Sequence, residues 1–519
     1  MTKLLAPLLA CACLGSASSA QLSLCHEDGV LGSAITYTLE GAPGSVWVLL
    51  PSTNAGPTPL LLIDPSDPRV LGVGLDLIGL AKSGILGGAP LQVSYPVPNS
   101  ISLHGLPIFA QAISLPGAGT LVDKISEQSL FSLSSSRSVL QTFAPMVASR
   151  RGHTATALLD GRVLITGGDV PDANEDPVST LASMELHNYP TDTFSATASP
   201  MSTQRGAHTA TLLADGRVLL LGGYSDHASG QSLRSGEIFD PATGTTTLTA
   251  PMLERRTQHS ATLLADGRVL VIGGAELFDL GQVFSSLATT HATTEVYDPV
   301  ADSWSAGPTL DQPRFAHGTS LLADGRVLIT AGVEVLSLFG ISTPLFTNKV
   351  QAYDPATNSL QDLSPLPDAV GFAYHAQLTL SNGRVLVAGG ADGNLVTLSF
   401  AMRDECYRYD PNTNAWTVVG ALNFERAYGQ LLETPDGKVI SIGGLSSVDV
   451  VTTHGVAVRE IEQSDLLALS WTSLPSMKGL LPREVGRSAL LGKGDRILTV
   501  GVGTNGVPAI DRTAEVYVH

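Results

Sequence analysis

The segment Arg256–Gly274, RTQHSATLLADGRVLVIGG, constrains this chain more than any other, because it is written again and again along the sequence. Each copy joins two short apolar, β-prone runs through an Ala-Asp-Gly-Arg type of turn, and most close on paired glycines. Glycine takes the left-handed backbone that a tight hairpin turn or its bulge requires, so Asp-Gly between such runs specifies a β-hairpin. The turn glycine recurs at Gly161, Gly216, Gly267, Gly325, Gly383 and Gly437, with a degenerate seventh copy, Gly-Asp-Arg, at 494–496. This period of more than fifty residues is too long for a hairpin alone and suits a four-stranded antiparallel module.

The rest of each module follows the glycines. A variable loop leads to a third strand marked Glu-x-Tyr/Phe-Asp-Pro at Glu237–Pro241 and Glu295–Pro299, with variants at Gln351–Pro355 and Tyr407–Pro411. The fourth strand carries an aromatic residue at Phe194, Trp304, Trp416 and Trp471. A lone module has two apolar faces and cannot bury both, whereas seven stacked in a ring bury each face on a neighbour. The last copy stops at Glu515–His519, after its third strand. Ala144-Pro145-Met146 matches the fourth-strand endings Ser199-Pro200-Met201 and Ala250-Pro251-Met252, each four residues ahead of an Arg. Val139–Met146 is therefore predicted to be the outer strand of the last module, sealing the ring and removing free edges.

Bulk composition agrees. The 519 residues are 15% charged and 5% aromatic, with 53 glycines and 31 prolines, which suits a turn-dense all-β protein. A formal charge of −18 offers no basic stripe and excludes a nucleic-acid partner or an anionic lipid surface. Residues 1–20 read as a signal peptide, with one early Lys, a short apolar core and a small-x-small end at Ser18 and Ala20. That places the mature start at Gln21 and the protein outside the cytoplasm, secreted or in the cell envelope. Lipid anchoring at Cys11 or Cys13 is the alternative. No later stretch reads as a membrane span, and a monomer is expected. Cys25 and Cys406 remain, and pairing and free thiols both stay open. Residues 21–137 hold no repeat and read as a small β-sandwich of short strands, with Leu71–Leu86 either a short helix or a broken strand.

The paired glycines Gly167-Gly168, Gly222-Gly223, Gly273-Gly274, Gly389-Gly390 and Gly443-Gly444, with Tyr-Asp-Pro and Trp after them, resemble the kelch repeat over about three quarters of the chain. The resemblance implies an all-β fold: a seven-bladed kelch-type β-propeller over 138–519, preceded by the β-sandwich. Ala331-Gly332 and Gly501-Val502 depart from the pattern. Galactose oxidase has a similar layout, and that likeness implies copper held by a Tyr–His pair, a further His and a tyrosine cross-linked to cysteine. Tyr374-His375 is the only suggestive pair, and it occupies an ordinary repeat position. The sequence singles out no catalytic residue, no metal ligand set and no cofactor. A non-catalytic binding protein for a protein or glycan is the preferred reading, with a copper-dependent oxidase as the alternative.

Antiparallel order places the Asp-Gly turns on one face and the long variable loops on the other, with the start of each inner strand. Binding sites favour loops on rigid scaffolds, so the long-loop face is the candidate. There Arg150, Arg205, Arg256, Arg314 and Arg426 recur, with His153, His208, His259 and His317 three residues on, and His375 without the Arg. A ring of cations for an anionic ligand is one reading, together with Tyr374 and His375 at the mouth. Hydrogen bonding inside each blade is the other, and the repetition weighs towards it. The Arg after each turn glycine is expected to pair with the third-strand Glu across the surface. Asp172, Asn174, Glu175 and Asp176 form an acidic loop that reads as solvated before it reads as a calcium site.

Overall fold

The computed structural model describes residues 23–518 apart from 28–33, 41, 44, 54–57, 60–69, 72, 74–76, 78–79, 87–89, 98–106, 116–123, 126–128, 133–137, 142–145, 172–176, 189–192, 227–230, 277–288, 339–340, 395–398, 450–453, 477–486, 492–495 and 503–512. The predicted leader 1–20 and the acidic loop 172–176 lie outside the described residues. Among the described residues, strands and turns account for the regular structure, and no helix is long and apolar enough to cross a membrane.

Among the described residues, seven four-stranded antiparallel sheets follow the repeat. In the second, Thr209–Leu212, Val218–Leu221, Gly236–Asp240 and Thr245–Leu248 pair in chain order. Inner strands adjoin one another in sequence around the ring, and Arg487–Leu491 of the seventh sheet adjoins Thr154–Ala157 of the first. The seventh sheet takes its outer strand from Ser138–Gln141, which pairs antiparallel with Thr513–Val518.

The second strands explain why the ring holds. Val218, Leu219, Leu220 and Leu221 are all fully buried, because a strand between two neighbouring sheets has no solvent face. Alternate side chains serve opposite neighbours. Val218 and Leu220 pack with Leu164 and Leu186 of the first blade, and Leu219 and Leu221 pack with Val269, Val271 and Tyr297 of the third. Each such side chain is worth about 1.5–3 kcal/mol of burial. At the wider rim, Tyr297 packs against Trp304 with ring centroids 4.9 Å apart, and Trp304 Nε1 donates to Ala250 O of the preceding blade at 2.8 Å. Trp416 and Trp471 repeat that bond to Ser364 O and Gly420 O.

The paired glycines mark the closest approach between blades. The second glycine, Gly223, donates its N–H to Arg256 O of the next blade at 2.9 Å. The first, Gly222, has φ +59, and a Cβ there would lie 2.4 Å from the same oxygen. Only glycine fits both demands.

Ahead of the ring, Ser23–Glu27, Ala34–Glu40 and Leu91–Pro96 form one sheet. Val46–Ser52, Lys82–Ile85, Pro107–Leu115, Lys124–Ile125 and Ser129–Ser132 form another. Tyr37 and Leu39 of the first share one apolar core with Trp47, Leu49, Ala110 and Ala112 of the second. The 71–86 stretch contributes the strands Val70–Leu71 and Lys82–Ile85.

Candidate binding site at the channel mouth

The recurring arginines lie inside the blades. Arg150, Arg205, Arg256 and Arg314 are fully buried and Arg426 is 2% exposed. Arg205 donates to Gly222 O, Ser235 O and Glu237 Oε1, at 3.1, 2.8 and 3.1 Å. Arg150–Glu185, Arg256–Glu295 and Arg426–Glu462 repeat the pair at 2.5, 2.7 and 2.6 Å. The other carboxylate lone pairs accept backbone N–H groups, for Glu237 those of Ser202 and Thr203. These guanidinium groups are turned into their own blades, and their place in the structure is a buried ion pair.

This arrangement corrects the expected surface pairing of the turn Arg with the third-strand Glu. The strand register sets Ile165 opposite Glu185, so Arg162 is too far along to reach it. Arg162, Arg217, Arg268 and Arg326 instead hold the turn aspartates Asp160, Asp215, Asp266 and Asp324.

Two blades rewrite the pair. In the fourth, Gln351 replaces the third-strand Glu, and Glu334 from the long loop takes Arg314 at 2.7 Å. In the fifth, Phe372 replaces the Arg and Tyr407 the Glu, stacked with centroids 5.7 Å apart. Arg403 covers the Phe372 ring and binds Asp368 and Asp392.

The histidines link blades. His208, His259, His317 and His375 each place Nε2 beside a hydroxyl of the preceding blade: Thr166, Thr209, Ser260 and Thr330, at 2.7, 3.1, 2.9 and 2.9 Å. Burial holds His259 and His317 down at about 3 and His375 at about 4, so the imidazoles are neutral.

Two residues past each Arg position the chain turns through a left-handed conformation before the inner strand. The six described positions are Gly152, Ala207, Gln258, Ala316, Tyr374 and Tyr428, with φ between 48° and 61°. They form a collar at the mouth of the channel. Neighbours bond through the backbone: Ala207 N to Gly152 O at 3.0 Å, Tyr374 N to Ala316 O at 3.1 Å, Tyr428 N to Tyr374 O at 2.7 Å. Positive φ on a bulky side chain is costly and is concentrated at working sites.

Tyr374 and Tyr428 break the symmetry of the collar. Their rings stack with centroids 4.3 Å apart and planes 27° apart. Burial pushes the Tyr374 hydroxyl up to about 12, so it is neutral. Three hairpins rise beside them from the fourth, fifth and sixth blades: Val333–Leu338 with Ile341–Phe346, Ala391–Asn394 with Ser399–Met402, and Leu445–Asp449 with His454–Ala457. These hairpins stand side by side. Phe346, Phe400 and Met402 pack against the tyrosines, and Leu336, Leu345 and Val456 are exposed on the hairpins. Tyr428 was missed in the sequence; its position two residues after Arg426 is the signal that finds it.

Comparisons agree with this geometry. No family model matches the chain. Its sequence is 26% identical over 192 residues to the kelch-like protein terF of Aspergillus terreus, covering 36% of this chain and 40% of that protein. It is 27% identical over 123 residues to kelch-like protein 25 of Xenopus tropicalis, covering 24% of this chain and 20% of that one. The chain has an all-β, propeller-type fold and is similar in sequence to kelch-like proteins. A distant likeness to galactose oxidase accompanies this similarity: 24% identity over 173 residues to the Gibberella zeae enzyme, covering 33% of this chain and 23% of the enzyme. The chain thus spans less than half the length of the curated relatives it matches. A fungal alcohol oxidase solved with copper shares the fold at TM-score 0.55 and 16% identity, over 73% of this chain and 75% of that one.

The copper-binding set that this likeness implies does not fit the residues here. Nε2 of His375 is engaged with Thr330, and the imidazoles of the preceding blades are likewise turned into blade seams. Cys406 is a buried free thiol on the third strand of the fifth blade, beside Asp404 O, and burial pushes it up to about 12.

Proposed function

We propose that this protein is a non-catalytic binding protein that works outside the cytoplasm and holds a partner protein on the long-loop face of its propeller. One observation carries the reading: blades four to six carry three adjoining hairpins on the long-loop face. The stacked Tyr374–Tyr428 pair lies at their foot. Rigid aromatics flanked by exposed Leu336, Leu345 and Val456 supply the apolar anchor that protein interfaces centre on. A glycan is the other partner class that stacked aromatic rings suit. The apolar leader 1–20 supports export, and N-terminal sequencing of the mature chain from Gln21 tests that part.

The test is binding of the purified chain to arrayed extracellular proteins and glycans, repeated with Tyr374→Ala, Tyr428→Ala and Leu345→Asp. A hit that these changes weaken tenfold or more supports the site. Hits indifferent to all three overturn it. The likeness to galactose oxidase motivates the second reading, a copper oxidase. Stoichiometric copper with peroxide release on alcohols would establish that reading in place of the first.

A further inference from the structure

Glu254, Glu276 and His291 converge on the long-loop side of the third blade. One carboxylate oxygen from each glutamate and a ring nitrogen of the histidine all lie within 4.8 Å of one another. Among the described residues this is the only such group of three His, Cys, Asp or Glu side chains. The three come from separate places in the repeat. Glu254 precedes the inner strand, Glu276 opens the long loop after Gly273-Gly274, and His291 closes that loop.

The blade holds each of them in place through the backbone. Glu254 N donates to Glu295 Oε1 at 3.1 Å. Glu276 is fixed by its N–H to Thr289 O and by Ser232 N to its own carbonyl, at 3.1 and 2.9 Å. His291 N donates to Gly274 O at 2.8 Å, and its carbonyl accepts Arg314 N at 3.0 Å. The imidazole is oriented as well. Its Nε2 lies 3.0 Å from Arg255 O, and a carbonyl oxygen only accepts, so Nε2 carries the proton and Nδ1 the lone pair. A hydrogen bond from one ring nitrogen to a backbone carbonyl fixes the tautomer of a histidine that ligates a metal through the other.

Charge sets the demand for a cation. The neighbouring Arg256 is already engaged by Glu295, Gly273 O and Thr293. Among the described residues no Lys or Arg forms an ion pair with either Glu254 or Glu276, although the turn aspartates and the third-strand glutamates have theirs. Two half-buried carboxylates this close repel, and a divalent ion between them relieves the repulsion. Other blades lack the set. Ala148, Thr203, Gln312 and Phe424 stand where Glu254 does, counting back from the inner-strand Arg. The blade scaffold therefore has no need of these three side chains.

We propose that Glu254, Glu276 and His291 form a binding site for a divalent transition-metal ion, zinc being the best match. A nitrogen ligand beside two carboxylates selects zinc over calcium or magnesium, which take oxygen. Three protein ligands leave a fourth zinc position open on the long-loop face. Ligand atoms about 3.4 Å apart surround a tetrahedral ion with bonds of roughly 2.0–2.2 Å, a contraction within reach of the glutamate side-chain rotamers.

The experiment uses the tag-free mature chain, stripped with chelator and titrated with zinc by calorimetry, with cobalt as an absorbing stand-in. One saturable zinc site per chain is expected. Glu276→Gln and His291→Ala should each weaken it by more than the ~10–100-fold that loss of an outer hydrogen bond costs. Glu254→Gln and Glu276→Gln keep the side-chain shape, so weakened binding with unchanged metal-free melting reports the site rather than the fold. Absence of stoichiometric zinc binding in the intact chain overturns the proposal. So does zinc binding that all three substitutions leave unchanged, or binding of calcium in its place.

Discussion

The arginine that starts each inner strand shows how a repeated residue divides between structure and function. Its side chain satisfies its own blade, and its carbonyl accepts the glycine N–H of the blade before. Removing one partner of such a pair leaves an uncompensated buried charge, so Arg205→Phe alone should cost roughly 3–5 kcal/mol in denaturant unfolding. The fifth blade indicates how the loss is moderated, since Phe372 and Tyr407 stack in the same two positions. Arg205→Phe with Glu237→Tyr should therefore be less destabilising than Arg205→Phe alone. It should stay below the parent, because Ser202 N and Thr203 N lose their acceptor. Equal loss in the single and double variants would refute the coupling. The histidines yield a second expectation. His259, His317 and His375 titrate at about 3, 3 and 4 in the fold and near 6.5 when unfolded. The unfolded chain therefore binds the extra protons. Stability is full above pH 6.5 and falls as pH drops towards 4, by up to about 1.4 kcal/mol per pH unit for each histidine. Aspartates such as Asp266 and Asp324, held below their ordinary value by their arginines, add losses only under about pH 4. Melting temperature followed from pH 7 to 4.5 checks this, and His317→Gln should flatten the slope.

At the scale of one blade, the paired glycines and the turn glycine look alike in sequence and differ in what they touch. Gly222 and Gly325 both have positive φ, +59 and +88. A Cβ on Gly222 would press against Arg256 O of the next blade, whereas one on Gly325 meets nothing within 4 Å. Gly325→Ala should cost only the conformational strain, ~1–2 kcal/mol. Gly222→Ala should cost clearly more, since it also parts two blades, and paired urea melts would show the difference. The same contrast marks how far the sequence could be read. Period and turn chemistry are local, so strands, turns and the glycine seam were legible from residues such as Gly216, Gly222 and Trp304. Partner choice depends on register and on neighbouring blades. Nothing local to Arg205 distinguishes a side chain folded back onto Glu237 from one facing the channel. Tyr428 and the Glu254, Glu276 and His291 group were hidden for a related reason. Each becomes conspicuous only once the copies are superposed and one copy is seen to differ.

For the whole ring, the decisive contact is the one between chain segments far apart in sequence, Ser138–Gln141 with Thr513–Val518. Behind that seam, Val516 packs with Leu498 and Val500 of its own blade and with Met146, Val163 and Ile165. A closed ring has no outermost blade, so damage at the seam removes a neighbour from both flanking blades and weakens every interface in turn. Val516 is 6% exposed, and Val516→Asp would bury an unpaired carboxylate there, costing about 3–5 kcal/mol. Trp304, Trp416 and Trp471 report from the third, fifth and sixth blades, and Trp47→Phe silences the remaining tryptophan. In that background the fluorescence melt should shift down with Val516→Asp as one transition, coincident with circular dichroism. An unchanged tryptophan melt, with proteolysis confined to the altered seam, would mean that the blades unfold independently and that closure adds no cooperativity.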